Sequence, residues 1–147
     1  MFNSKKMTIQ ELKFELQQQC NDLIKSRHRS ILNTISDIET SLKDESKSTS
    51  GDKHHTGRAM LQIERENAGK QLNEIEKVIR QLDKVNISDT SETIRLGSII
   101  ETNQANFFIS ISVGKLQVHD IIYLGIAPAA PIGLCLLGKG KNDQFNY

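Results

Sequence analysis

Ile24-Lys25-Ser26-Arg27-His28-Arg29-Ser30-Ile31-Leu32-Asn33-Thr34-Ile35-Ser36-Asp37-Ile38-Glu39-Thr40-Ser41-Leu42 is the stretch that decides the fold. Within it Ile24, His28, Ile31, Ile35, Ile38 and Leu42 recur in steps that alternate between four and three. Such steps average to a heptad and lay an apolar seam along one face of a helix. Leu61, Arg65, Ala68, Leu72, Ile75, Ile79 and Leu82 repeat the same alternation. Set antiparallel, Ile38 with Ala68, Ile31 with Ile75 and Ile24 with Leu82 have residue numbers that add to 106. Ile35 with Leu72 and His28 with Ile79 add to 107. Every seam position finds a partner if the chain turns near residue 53. There, Ser50-Gly51-Asp52-Lys53-His54-His55-Thr56-Gly57 contains no apolar residue. The spacing predicts a long antiparallel coiled-coil hairpin over residues 8–85, with a polar tip near 46–57.

Thr8-Ile9-Gln10-Glu11 is a capping box and marks the start of the first helix. Leu12, Leu16, Cys20 and Leu23 carry its stripe toward the seam. The second helix is expected to begin around Thr56 to Arg58 and to fade by Val85. The first therefore overhangs the second by about three turns, and that overhang needs another chain or the C-terminal region to pack against. From residue 23 to the tip is about 30 residues, or roughly 45 Å. Gln19, His28 and Arg65 interrupt the apolar stripe, which suits an arm that is stiff rather than very stable. Gly69 lies inside the second helix at a cost of about 1 kcal/mol relative to Ala. Pairing of two hairpins into a four-helix bundle is the alternative use of such a seam.

The 147 residues suit one ordinary domain or two small ones, and a net charge of +1 exerts no gross pull toward nucleic acid or membrane. Ile121 to Leu137 is the longest apolar stretch, but prolines and glycines interrupt it and it is too short to span a bilayer. No signal peptide is visible behind Met1-Phe2-Asn3-Ser4-Lys5-Lys6. Cys20 and Cys135 fall in different regions and are expected to be reduced, buried thiols. The expected location is the cytoplasm. Both prolines and most glycines and aromatic residues lie after residue 96, so the composition changes near residue 90. Residues 86–93 read as a polar linker, and 94–147 as a small antiparallel sheet. Ile94 to Thr102, Asn106 to Val113 and Ile121 to Ile126 read as strands, with Gln144 to Tyr147 beginning a last one. Pro131 to Gly138 reads as a short helix with Pro in its first turn. The class is α+β.

Ala130-Pro131-Ile132-Gly133-Leu134-Cys135-Leu136-Leu137-Gly138-Lys139, followed by Asp143, is a distinctive run, and Leu96-Gly97-Ser98 precedes the first strand. With the long hairpin ahead of them, these residues resemble the bacterial Gre transcript-cleavage factors. The resemblance implies an FKBP-like sheet domain that docks on RNA polymerase, with Pro131, Ile132, Gly133 and Lys139 at the contact. It also implies a hairpin that enters the polymerase's secondary channel as a monomer and acts on the nascent RNA 3′ end indirectly. Tip acids in that family help to hold Mg2+ shared with the polymerase, which hydrolyses the RNA. The factor is not itself an enzyme. The family's tip reads Gly-Asp-x-x-Glu. Here Asp52 matches the first acid, as the transient metal ligand, and His55 stands in the place of the second. Magnesium prefers hard oxygen ligands, so cleavage stimulation is expected to be weakened. Ala130 replaces the usual helix-capping Ser, and the chain ends about a dozen residues early by comparison. That early end leads to the expectation of an unpaired sheet edge.

Other readings attach to some of these residues. His54 and His55 suit a transition metal, but no Cys or acid stands beside them at ligand spacing except Asp52. Cys135 sits in an apolar helix with no adjacent His or acid, as a structural thiol does. Gly138-Lys139-Gly140-Lys141 lacks the spacing of a phosphate-binding loop. Lys25, Arg27, Arg29, Lys77, Arg80 and Lys84 form a basic zone that reads as a solvated face or as a contact for RNA or an acidic rim. Two functions outside cleavage remain as alternatives: a channel-binding regulator that does not cleave, and a dimeric coiled-coil adaptor unrelated to transcription.

Overall fold

In the computed structural model the backbone is described for residues 7–47 and 53–146, and side chains for residues 7–45 and 57–146. The element order is α1 (Ile9–Lys47), α2 (Lys53–Asp83), β1 (Ile99–Glu101), β2 (Asn106–Ile109), β3 (Gly114–Val118), β4 (Ile121–Ile126) and α3 (Pro131–Leu136). The protein is α+β: two long helices packed as a hairpin, then a four-stranded mixed sheet and a short helix. Contacts divide the chain into two compact units, Met1–Leu23 with Ile79–Tyr147, and Ile24–Val78.

In the Ile24–Val78 unit the seam packs as the heptad spacing requires. Ile35, Ile38 and Ala68 are buried, with Ile31, Leu42, Leu61 and Leu72 against them. Glu39 and Arg65 pair across the helices at 3.2 Å. His28 Nε2 lies 3.5 Å from Glu76 Oε2, an ion-pair distance without hydrogen-bond alignment. Arg58 donates to the Leu42 carbonyl at 3.2 Å. α2 begins at Lys53, several residues earlier than expected, and so includes Gly57. A Cβ at Gly57 would lie 3.3 Å from the Glu45 carboxylate, the far end of a flexible side chain. At Gly69 a Cβ would meet only the far end of Arg65, at 3.2 Å.

In the other unit Thr8 caps α1, and Glu11 reaches back to its hydroxyl rather than to its amide. Thr8 Oγ1 accepts from the Glu11 amide at 3.1 Å, and Glu11 receives the Thr8 hydroxyl at 3.2 Å. The overhang of α1 packs with the C-terminal region rather than being left for another chain. Gln17 donates to the Leu82 carbonyl at 3.3 Å at the end of α2. Lys13 is buried and donates to the Asp89 carbonyl at 3.1 Å. Arg95 pairs with the Asp89 carboxylate at 3.2 Å and donates to the Thr90 carbonyl. Burial, then repulsion from Arg95, lowers the Lys13 pKa, and Asp89 opposes the shift. These bonds tie the polar linker to α1.

The sheet order is β1-β2-β4-β3. It is not antiparallel throughout, because β2 and β4 run parallel, with Phe107 beside Leu124 and Ile109 beside Ile126. The cause is β3, a strand the sequence pattern did not reveal. It pairs antiparallel with β4 through a two-residue turn, takes the edge, and leaves β4 to return beside β2. That turn places His119 and Asp120 at φ 48° and 64°, the conformation of a tight hairpin turn usually filled by Asn-Gly. The first expected strand is shortened to Ile99–Glu101 because the chain turns at Gly97, φ 92°. Ile94 instead bonds to Gly138 and Lys139. The second ends at Ile109, after which Ser110 and Val113 reach only the Ile126 and Gly125 carbonyls. Gln144 to Asn146 form no strand; Phe145 packs against the cluster of Phe107, Ile109 and Leu136.

Gly69→Ala is expected to raise stability by about 0.5–1 kcal/mol, because the helix gains Ala propensity while a flexible guanidinium yields. Thermal unfolding followed by circular dichroism measures it, and a fall in Tm contradicts this account of Gly69.

Candidate functional site

The site expected from sequence has two parts, and the described residues contain one of them. Asp52 falls outside the described residues, directly before the first residue of α2. His55 lies in the first turn of that helix, and its side chain is also outside the described residues. Among the described residues no cluster of three His, Cys, Asp or Glu forms a metal site.

The second part is the loop and helix around α3. Pro131 occupies the first turn, Ala130 is the N-cap, and no side chain caps the helix. Pro131 is exposed, Ile132 is half-buried in the sheet cluster, and Leu134 is 64% exposed. Gly133 is buried, and its role is internal. A Cβ there would lie 2.3 Å from the Ala127 carbonyl oxygen and 2.8 Å from that of Pro128. Only a residue without a side chain lets α3 rest on this backbone turn. Lys139 is half-buried, and its backbone pairs with Ile94 at 2.8 Å. The exposed residues of the motif are therefore Pro131, Leu134 and Gly138, and Leu134 is the exposed side chain that the sequence pattern did not single out. An apolar side chain two positions before the buried Leu136 in a one-sided short helix was the available signal.

Two polar residues that interrupted the α1 stripe prove to have different environments. Gln19 faces the sheet edge. Its amide nitrogen donates to the Gln117 carbonyl at 2.7 Å, and its oxygen accepts from the Gln117 amide at 3.1 Å. One carboxamide thus stands in for a neighbouring peptide on the open side of β3. His28 lies in the hairpin beside Glu76. Cys20 is fully buried, 3.6 Å from the Ser110 hydroxyl, and burial raises its thiol pKa against that contact. It is a structural thiol, and both cysteines are free. Cys135 donates to the Asn146 carbonyl at 3.5 Å.

The basic zone remains exposed at Lys25, Arg27, Arg29, Lys77, Arg80 and Lys84. Lys77 pairs with Glu74 one turn away at 3.3 Å. Such a pair contributes little to stability. No described helix is long and apolar enough to cross a membrane.

Gly133→Ala is expected to destabilise the protein by about 1–3 kcal/mol, since the methyl group meets backbone that cannot swing away. Urea denaturation measures this, and an unchanged midpoint contradicts the packing described. Compared with protein families, with curated proteins and with solved structures, the chain matches none.

Proposed function

We propose that this chain is a Gre-like regulator of transcription elongation, which acts in the cytoplasm by placing its hairpin in the secondary channel of RNA polymerase. The observation that carries the reading is the seam-locked hairpin of 39- and 31-residue helices joined through Gly51-Asp52. A narrow channel admits such a rod and little else. The sequence around α3 supports the same reading, since exposed Pro131 and Leu134 offer an apolar contact beside the basic Lys139-Gly140-Lys141 segment.

The tip chemistry favours occupancy over catalysis. Two-metal hydrolysis of a phosphodiester uses anionic oxygen donors. The tip supplies one carboxylate, Asp52, with the Lys53 ammonium next in sequence and His55 where a second acid belongs. This donor set does not fit Mg2+ well, so no step is assigned to it. The protein would then occupy the channel and modulate backtracked complexes, competing with factors that stimulate cleavage. Any hydrolysis belongs to the polymerase, with no catalytic centre on this chain.

Core polymerase is expected to co-purify with the full chain and to be lost on deletion of residues 46–58. Retention by the deleted chain removes the hairpin from the contact. In a backtracked-complex assay the wild type is expected to cleave weakly and His55→Glu to gain about tenfold or more, about 1.4 kcal/mol of barrier. Equal cleavage by the two proteins contradicts the role given to His55.

A further inference from the structure

Within the Ile24–Val78 unit, an open groove of about 530 Å³ runs along one flank of the hairpin. Ile31 of α1 and Ile75 of α2 share its floor, with Arg27 on the α1 wall and Lys70 and Glu74 on the α2 wall. Its charges are unequally matched. Glu74 is already paired with Lys77 at 3.3 Å. Arg27 and Lys70 are exposed, and among the described residues neither has an ion-pair partner. The groove is therefore apolar along its floor and positive at two unmatched points. Those points stand on opposite walls and at opposite ends. Arg27 is four residues farther from the tip than Ile31, and Lys70 is five residues nearer the tip than Ile75. Nine residues of helical rise separate them, about 13 Å.

We propose that this groove seats an amphipathic helix of a partner protein, one whose apolar stripe is flanked by carboxylates. The furrow between two helices is where the side chains of a third interdigitate, and apolar grooves of this kind hold a helix by its stripe. Nine residues of helix make two and a half turns. Acids nine apart therefore leave opposite flanks of the incoming helix, at the spacing that separates Arg27 from Lys70. In a right-handed helix so placed, the positions turned toward Ile31 and Ile75 are the third and sixth after the first acid. The pattern that fits is Glu-x-x-Leu-x-x-Leu-x-x-Glu, and a helix with bases in place of the acids is repelled at both ends. The charged pairs are solvated, so the contact is reversible and salt-sensitive. The inference rests on the packed hairpin alone and not on a role in transcription.

Fluorescence anisotropy with the full chain at low salt tests it, using a labelled peptide of about 18 residues that carries this pattern and is long enough to form a helix by itself. The acidic peptide is expected to bind. The same peptide with Lys for both Glu is expected to bind about tenfold or more weakly, and one with Ser for both Leu to lose binding. Arg27→Glu with Lys70→Glu is expected to reverse the order of the acidic and basic peptides. Both positions are exposed, and circular dichroism checks that the variant is folded. No binding of the acidic peptide at about 1 mM chain, undiminished binding of the Ser peptide, equal binding of the acidic and basic peptides, or an order unchanged by the double substitution would each overturn the proposal. So would a free chain that sediments as a dimer and loses that dimer on the double substitution, since the groove would then hold a second copy.

Discussion

The burial of Ile35, Ile38 and Ala68 between α1 and α2 is the interaction on which the hairpin depends. Each large aliphatic side chain removed from water contributes about 1.5–3 kcal/mol. The ion pair beside the seam, Glu39–Arg65, is solvated at both ends and contributes about 0–1 kcal/mol. Apolar packing therefore sets the register, and the charges adjust to it. The two glycines inside α2, Gly57 and Gly69, each weaken the helix by about 1 kcal/mol. Tertiary contact outweighs that loss, as it does for most helices in proteins.

At its other end α1 performs a different task. Residues 9–23 belong with the sheet, and three side chains fasten it there: Lys13 to the linker backbone, Gln17 to the end of α2 and Gln19 to the edge of β3. An open strand edge is a template for unwanted pairing. Gln19 covers part of that edge with a group that has the donor and acceptor of a peptide bond. The interior of the sheet is correspondingly closed: Phe108, Ile109, Ile111 and Leu116 have almost no exposed surface.

Some of this was legible in the residues and some was not. The hairpin could be read because a heptad repeats over many turns on both helices, although the chain turns before Lys53 rather than near it. β3 could not, because five residues in which Lys115 and Gln117 alternate with Leu116 and Val118 carry little signal. Its turn also lacks the glycine that usually announces one. Missing β3 made the sheet look antiparallel throughout. Gly133 looked like a surface of contact because it sits in a distinctive motif. Its purpose emerged only from the backbone 2.3 Å from where a side chain would begin.

Periodicity and local chemistry determined by themselves the two helices, their antiparallel pairing, the N-cap at Thr8 and the placement of α3 behind Pro131. Those features depend on neighbours a few residues apart or on a repeat long enough to have one register. Tertiary structure alone decided that β2 and β4 are parallel and that Gln19 completes a sheet edge. It also decided that Lys13 is buried and that Met60 and Ile63 are left exposed. Each of these depends on which surface meets a given side chain across many residues of intervening chain, and no local pattern encodes that meeting.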